Sequence, residues 1–121
     1  MKKIKFRYTW RKWNKPQEVR VIELDKGLVS TENGTYSIDN GTLEQYTGLK
    51  DKNGVEIYEG DIVESDNNMT VSVEWNNLDG AWHCYDKSHK WNRTWTLGHY
   101  TLDGLKVIGN IHENPELLEK A

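Results

Sequence analysis

Four cations near the amino terminus fall at odd positions, Lys3, Lys5, Arg7 and Arg11, so a continuous strand would project them from one face. Lys12 and Trp13 lie beside them. Positive charge next to an aromatic is what single-stranded nucleic acid or an acidic protein partner engages: the cations meet phosphate or carboxylate, and the ring offers a stacking surface. The competing reading is charge balance within the fold. Residues 1–20 carry eight Lys or Arg against Glu18 alone, a net +7, while the rest of the chain carries eight basic and 18 acidic residues, a net −10. A chain with a pI near 5.8 lacks the electrostatic footprint of a typical nucleic-acid binder. Charge balance is therefore the expectation, and nucleic-acid binding through the stripe stands as the alternative.

Other chemistry-bearing residues form weaker patterns. His83, Cys84, His89 and His99 sit in a Trp-rich stretch, but no C-x-x-C or H-x-x-x-H spacing joins them, and neighbours on a strand point to opposite faces. Neither a metal site nor a cofactor is expected. Glu59 and Asp61 flank Gly60 and would share a strand face, as paired carboxylates in acid–base catalysis do. Following Tyr58 and preceding Ile62-Val63, they read better as a tight turn entering a strand, with Asp61 bonding backbone amides. No Ser occupies a G-x-S-x-G elbow, no glycine-rich phosphate loop is present, and Cys84 has no motif around it. The expectation is a protein without catalytic residues; a small enzyme using Asp61 is a further alternative.

Alternation and turn chemistry define the elements that would position these residues. Ile4, Phe6, Tyr8 and Trp10 alternate with Lys5, Arg7 and Thr9, which predicts a half-buried strand. Further strands are predicted at Val19–Leu24, Leu28–Thr31, around Tyr36 and Ile38, and at Leu43–Thr47, Val55–Tyr58, Ile62–Glu64, Val71–Trp75, Ala81–Tyr85, Trp91–Leu97 and Leu105–Ile111. Asp25-Lys26-Gly27, Glu32-Asn33-Gly34, Asn40-Gly41, Asn53-Gly54, Asp79-Gly80 and Asp103-Gly104 punctuate them with residues that accept positive φ. Asn114 as cap and Pro115 in the first turn predict one short helix, 115–120.

The 121 residues suit a single domain, with an N-terminal β region at about 1–47 and a barrel-like region at about 48–113. Only 36% of the chain is apolar, so six Trp and six Tyr must supply much of the core bulk. No more than two apolar residues run consecutively, so neither a membrane-spanning helix nor an export signal is expected. With Cys84 as the lone cysteine, the expected location is the reducing cytoplasm.

The segment QYTGLKDKNGVEIYEGDIV, Gln45 to Val63, resembles the signature of the YopX family of phage and prophage proteins. Lys2-Lys3-Ile4-Lys5-Phe6-Arg7 is similar to the family's lysine-rich start, and VIGNIHENPELL, Val107 to Leu118, to its closing strand and helix. The start departs in detail: Phe6-Arg7-Tyr8-Thr9-Trp10-Arg11 has one residue more than Phe-Arg-Ala-Trp and a basic follower in place of Asp. Residues 76–104 match no pattern, so a specialised role is expected there, notably in the Trp- and His-rich segment 82–100, or in the basic stripe. The resemblance implies a phage-associated, mostly β fold in a bacterial host cell and brings no established activity. The expectation is thus an all-β, mostly antiparallel, barrel-like domain that binds or assembles with a phage or host protein. Self-association is expected from the exposed strand edges such a fold carries.

Overall fold

A computed structural model describes residues 3–66, 68–86, 93–97 and 104–119. The chain forms two compact units, Met1–Tyr46 and Thr47–Ala121. By composition the first carries a net charge of +3, from nine basic and six acidic residues, and the second −6, from seven and thirteen.

The first unit is built from β1 (Phe6–Trp10), β2 (Pro16–Glu23), β3 (Leu28–Thr31), β4 (Gly34–Ser37) and the first part of β5 (Gly41–Lys50). Strand order is β4-β3-β2-β1-β5, and the pairings recorded between them are antiparallel. β1 is central, with Tyr8 opposite Gln17 on one side and Leu43 on the other. Alternation predicts this strand from Ile4, but it begins at Phe6 and leaves Ile4 exposed, and its burial is not confined to one face, for Arg7 and Thr9 are buried as well as Tyr8. A strand flanked on both edges and covered on both faces buries both halves of its alternation.

Tyr8 anchors this unit. Its ring stacks on Tyr36 at 5.5 Å between centres, and its hydroxyl donates to the Ser37 carbonyl at 2.7 Å. Burial, opposed by Arg11 and reinforced by Tyr36 and Asp39, raises the phenol above its ordinary 10.0, so it remains a neutral donor. Gly41 lies in extended backbone, where any residue fits by φ, yet a Cβ there would fall on the Thr9 carbonyl and the Tyr8 ring. Gly41→Ala is expected to cost about 2 kcal/mol through forced repacking. A lowered urea midpoint with an unchanged slope is the measurement that checks it.

The second unit contains the end of β5, then β6 (Glu56–Tyr58), β7 (Asp61–Glu64), β8 (Thr70–Asn76), β9 (Ala81–Asp86), β10 (Arg93–Thr96) and β11 (Lys106–Asn110). β6 hydrogen-bonds to β5, and the remaining strands order as β10-β9-β8-β7-β11, again antiparallel. Among the described residues β10 and β11 are the ends of an open sheet, so the barrel expectation is corrected to a sheet that does not close. The all-β, antiparallel architecture holds. Val71 and Val73 of β8 and Cys84 of β9 turn to a core shared with Ile57, Val63 and Leu105. Trp75 and Trp82 face one another across β8 and β9, edge to face, with ring centres 4.9 Å apart.

Two helical details differ from expectation. The predicted helix 115–120 is a 3₁₀ turn, Pro115–Leu118, and Asn114 makes no side-chain cap to it; its Oδ1 accepts instead from the Asn110 N–H at 3.3 Å. Four residues without a cap cannot sustain an α-helix. A second 3₁₀ turn, Ile38–Asn40, takes Ile38 out of the predicted strand, with Ser37 Oγ accepting from the Asp39 N–H.

Candidate functional site

The basic stripe divides. Lys3 is exposed and Lys5 half-buried ahead of β1, where the Lys5 carbonyl accepts the Tyr46 N–H at 2.9 Å. Arg7 is buried and its Nε donates to Glu44 Oε1 at 3.0 Å, which places its charge inside the sheet. Arg11, Lys12 and Trp13 lie beyond the end of β1, in the turn that joins it to β2. Strand alternation stops at Trp10, so Arg11 shares the odd numbering of the others but not their face.

That turn, 11–15, presents Arg11, Lys12, Trp13 and Lys15 to solvent, with Trp13 44% exposed. Its backbone is fixed: the Trp13 and Asn14 N–H groups both donate to the Trp10 carbonyl, and Arg11 N–H donates to Asn40. Asn14 takes the left-handed conformation the tight reversal needs, φ 57°. The Lys12 ammonium sits 5.8 Å from the centre of the Trp10 ring, within cation–π range. Three cations and an accessible indole thus share one turn on a backbone held by hydrogen bonds.

The remaining candidates are spent locally. Asp61 is buried and its Oδ2 accepts the Tyr58 N–H at 2.8 Å across Glu59-Gly60, the turn-closing geometry expected of it. Cys84 is in the core, and burial pushes its thiol up to about 12, which leaves almost no thiolate at neutral pH. His83 turns away from Cys84; its Nε2 meets Asp79 Oδ2 at 2.8 Å and its Nδ1 meets Thr94 Oγ1. This carboxylate–imidazole–hydroxyl chain ties the β8–β9 turn to β10. His89 and His99 lie outside the described residues. Among the described residues no group of three or more His, Cys, Asp or Glu is placed to hold a metal ion.

Two polar centres escape sequence reasoning. Asp51, inside the signature segment, accepts the Asn53 and Val55 N–H groups on Oδ1 and the Val107 N–H on Oδ2, all at 2.8–2.9 Å. Burial alone pushes its carboxyl up, but these three N–H groups and Lys106 outweigh it and hold it below the ordinary 3.8. The sequence did carry a signal: Asp two residues before Asn-Gly is an Asx-turn pattern. The second centre is Gln17, whose Oε1 accepts from Thr31 Oγ1 at 2.6 Å and Asn33 Nδ2 at 3.0 Å. Nothing local marks Gln17, because its partners arrive through β-pairing.

Residues 2–119 match a family model described as YopX protein. The crystal structure of protein EF1440 from Enterococcus faecalis is similar to this chain at 26% identity and a TM-score of 0.71, covering 98% of this chain and 99% of that one. No curated protein matches.

Proposed function

The chain belongs to the YopX family, and on that premise we propose that it is a phage- or prophage-associated, non-enzymatic binding module whose contact element is the turn 11–15. The partner is an acidic protein surface. One observation carries the reading: the exposed cations Arg11, Lys12 and Lys15 and the exposed Trp13 share a turn whose backbone is held by three hydrogen bonds. Asp61, Cys84 and His83, by contrast, serve turns, core and strand ties. A fixed backbone lowers the ordering cost of binding, and cation–aromatic surfaces suit carboxylate-rich partners. The module works inside the bacterial host cell, where a lone cysteine stays reduced.

The test is affinity capture from lysate of infected host cells, using the wild-type chain and a variant carrying Arg11→Gln, Lys12→Gln, Trp13→Ala and Lys15→Gln, each with and without nuclease. Capture of an acidic protein that survives nuclease and disappears in the variant is the expected result. Capture abolished by nuclease would transfer the turn to the nucleic-acid reading. Equal capture by both proteins would remove it from function altogether.

A further inference from the structure

His83 is 6% exposed on β9 and has a partner at each ring nitrogen: Asp79 Oδ2 lies 2.8 Å from Nε2, and Thr94 Oγ1 lies 2.5 Å from Nδ1. Together the two contacts settle the ring's orientation, because turning it over would set carbon in both places. A carboxylate only accepts, so Nε2 carries the hydrogen, and in the neutral ring Nδ1 is left as the acceptor. The Thr94 hydroxyl therefore gives its proton to His83. Asp79 is itself held by its turn, where its own N–H and that of Leu78 donate to Asn76 Oδ1 and the Gly80 N–H donates to the Asn76 carbonyl, at 2.9–3.3 Å. The far end of the chain of three faces outward: Thr94 is exposed on β10, at one end of the described sheet, with the buried imidazole behind it.

A hydroxyl whose proton rests on an imidazole that a carboxylate orients is the arrangement that turns a serine or threonine into a nucleophile. We propose that Thr94 is a modification site that takes an acyl group from an acyl thioester. A nucleophile, a base and its orienting carboxylate suit a carbonyl already activated by its leaving group, which a thioester is and an amide is not. Thr94 Oγ1 bonds to the carbonyl carbon while its proton passes to His83 Nδ1, and the imidazolium so formed is paired with Asp79. The C–S bond then breaks, its electrons leave with sulfur, and His83 returns the proton to the thiolate. The products are an ester on Thr94 and a free thiol, with nothing oxidised or reduced. Tyr85, opposite Thr94 in the β9–β10 register, gives the acyl chain an aromatic neighbour. This site is independent of the turn 11–15 and stands whether or not that turn binds an acidic partner.

Phenyl thioacetate serves as the probe, incubated with the intact chain, after which acetyl groups are mapped by peptide mass spectrometry. Thr94 is expected to carry the acetyl ester and Thr96 to stay unmodified, although Thr96 is also exposed and lies on the same face of β10, opposite His83 in register. That comparison is made within the wild-type chain and needs no variant. His83→Gln offers Asp79 and Thr94 an amide in place of a base and should slow acetylation of Thr94 roughly 100-fold, while Asp79→Asn, which keeps an acceptor for the ring but loses the charge, should slow it roughly tenfold. Thr94→Val should remove the adduct and leave the background on amino groups unchanged. Absence of acetyl from Thr94, equal acetylation of Thr94 and Thr96, or a Thr94 rate unaltered by His83→Gln overturns the proposal and leaves the three groups as a tie between turn and strand.

Discussion

Replacing Asp51 with alanine is expected to destabilise the protein by about 4 kcal/mol, since three backbone N–H groups lose their acceptor together and each such loss costs about 1–3 kcal/mol where water cannot fully replace it. Asn53 and Val55 are near solvent and are partly rehydrated, whereas the Val107 N–H sits at the start of β11 and is half-buried. Asp51 thus closes the link between β5 and β6 with one oxygen and holds β11 with the other. Asp51→Asn should cost about half as much, because it keeps one acceptor but turns an amide donor toward a neighbouring N–H. The carboxyl also predicts a pH dependence with a definite sign. Its folded-state value lies below 3.8, so its contribution is complete above 3.8 and is lost as pH falls below 3.8 through the folded value. The gap in urea midpoint between wild type and Asp51→Asn should therefore be constant at neutral pH and narrow on acidification below about 3.8. A gap that widened instead would show that the carboxylate is not held by these amides.

The second large effect is at Arg7. Arg7→Gln removes the guanidinium that meets Glu44 at 3.0 Å, with only 11% and 2% of the two side chains exposed, and should cost about 3 kcal/mol, as breaking buried ion pairs does. Lys3→Gln and Arg11→Gln, at exposed positions in the same stripe, and Lys12→Gln beside it should each stay within about 0.5 kcal/mol of wild type. Adding Glu44→Gln to Arg7→Gln should recover part of the loss, because residues in direct contact couple by about 0.5–3 kcal/mol. Strict additivity would mean that the pair contributes nothing as a pair. The contrast separates the stripe into one structural cation and a set of surface cations, so a simultaneous replacement of all four odd-numbered residues would confuse unfolding with loss of binding.

The difference between Arg7 and its neighbours explains what could and could not be read from the chain. Leu28–Thr31 was legible to the residue, because Asp25-Lys26-Gly27 before it and Glu32-Asn33-Gly34 after it force reversals, with Gly27 at φ 64° and Gly34 at φ 146°. The same logic placed the strands on either side of Asn53-Gly54 and Asp79-Gly80. Alternation assigns residues to faces but is silent on whether the second face is covered, and so Arg7 read as a surface cation. Gln17, Thr31 and Asn33 lie 14 and 16 residues apart in pairs, and only the bulged register of β2 on β3 brings them together. His83 meets Asp79 within its own hairpin, but its contact with Thr94 depends on the register of β9 against β10. Sites assembled by cross-strand register leave no local trace, whereas turns do.

The facing indoles of Trp75 and Trp82 give the chain an optical property of its own. Two indoles held edge to face at 4.9 Å share their electronic transitions, and the coupling depends steeply on separation and angle. The circular dichroism of this protein should therefore carry an aromatic couplet superimposed on its β-sheet spectrum, a signal that reports the closure of one hairpin rather than the average of the whole chain. Following that couplet beside the amide signal during unfolding separates the loosening of β8 and β9 from the loss of the remaining strands, with no label attached.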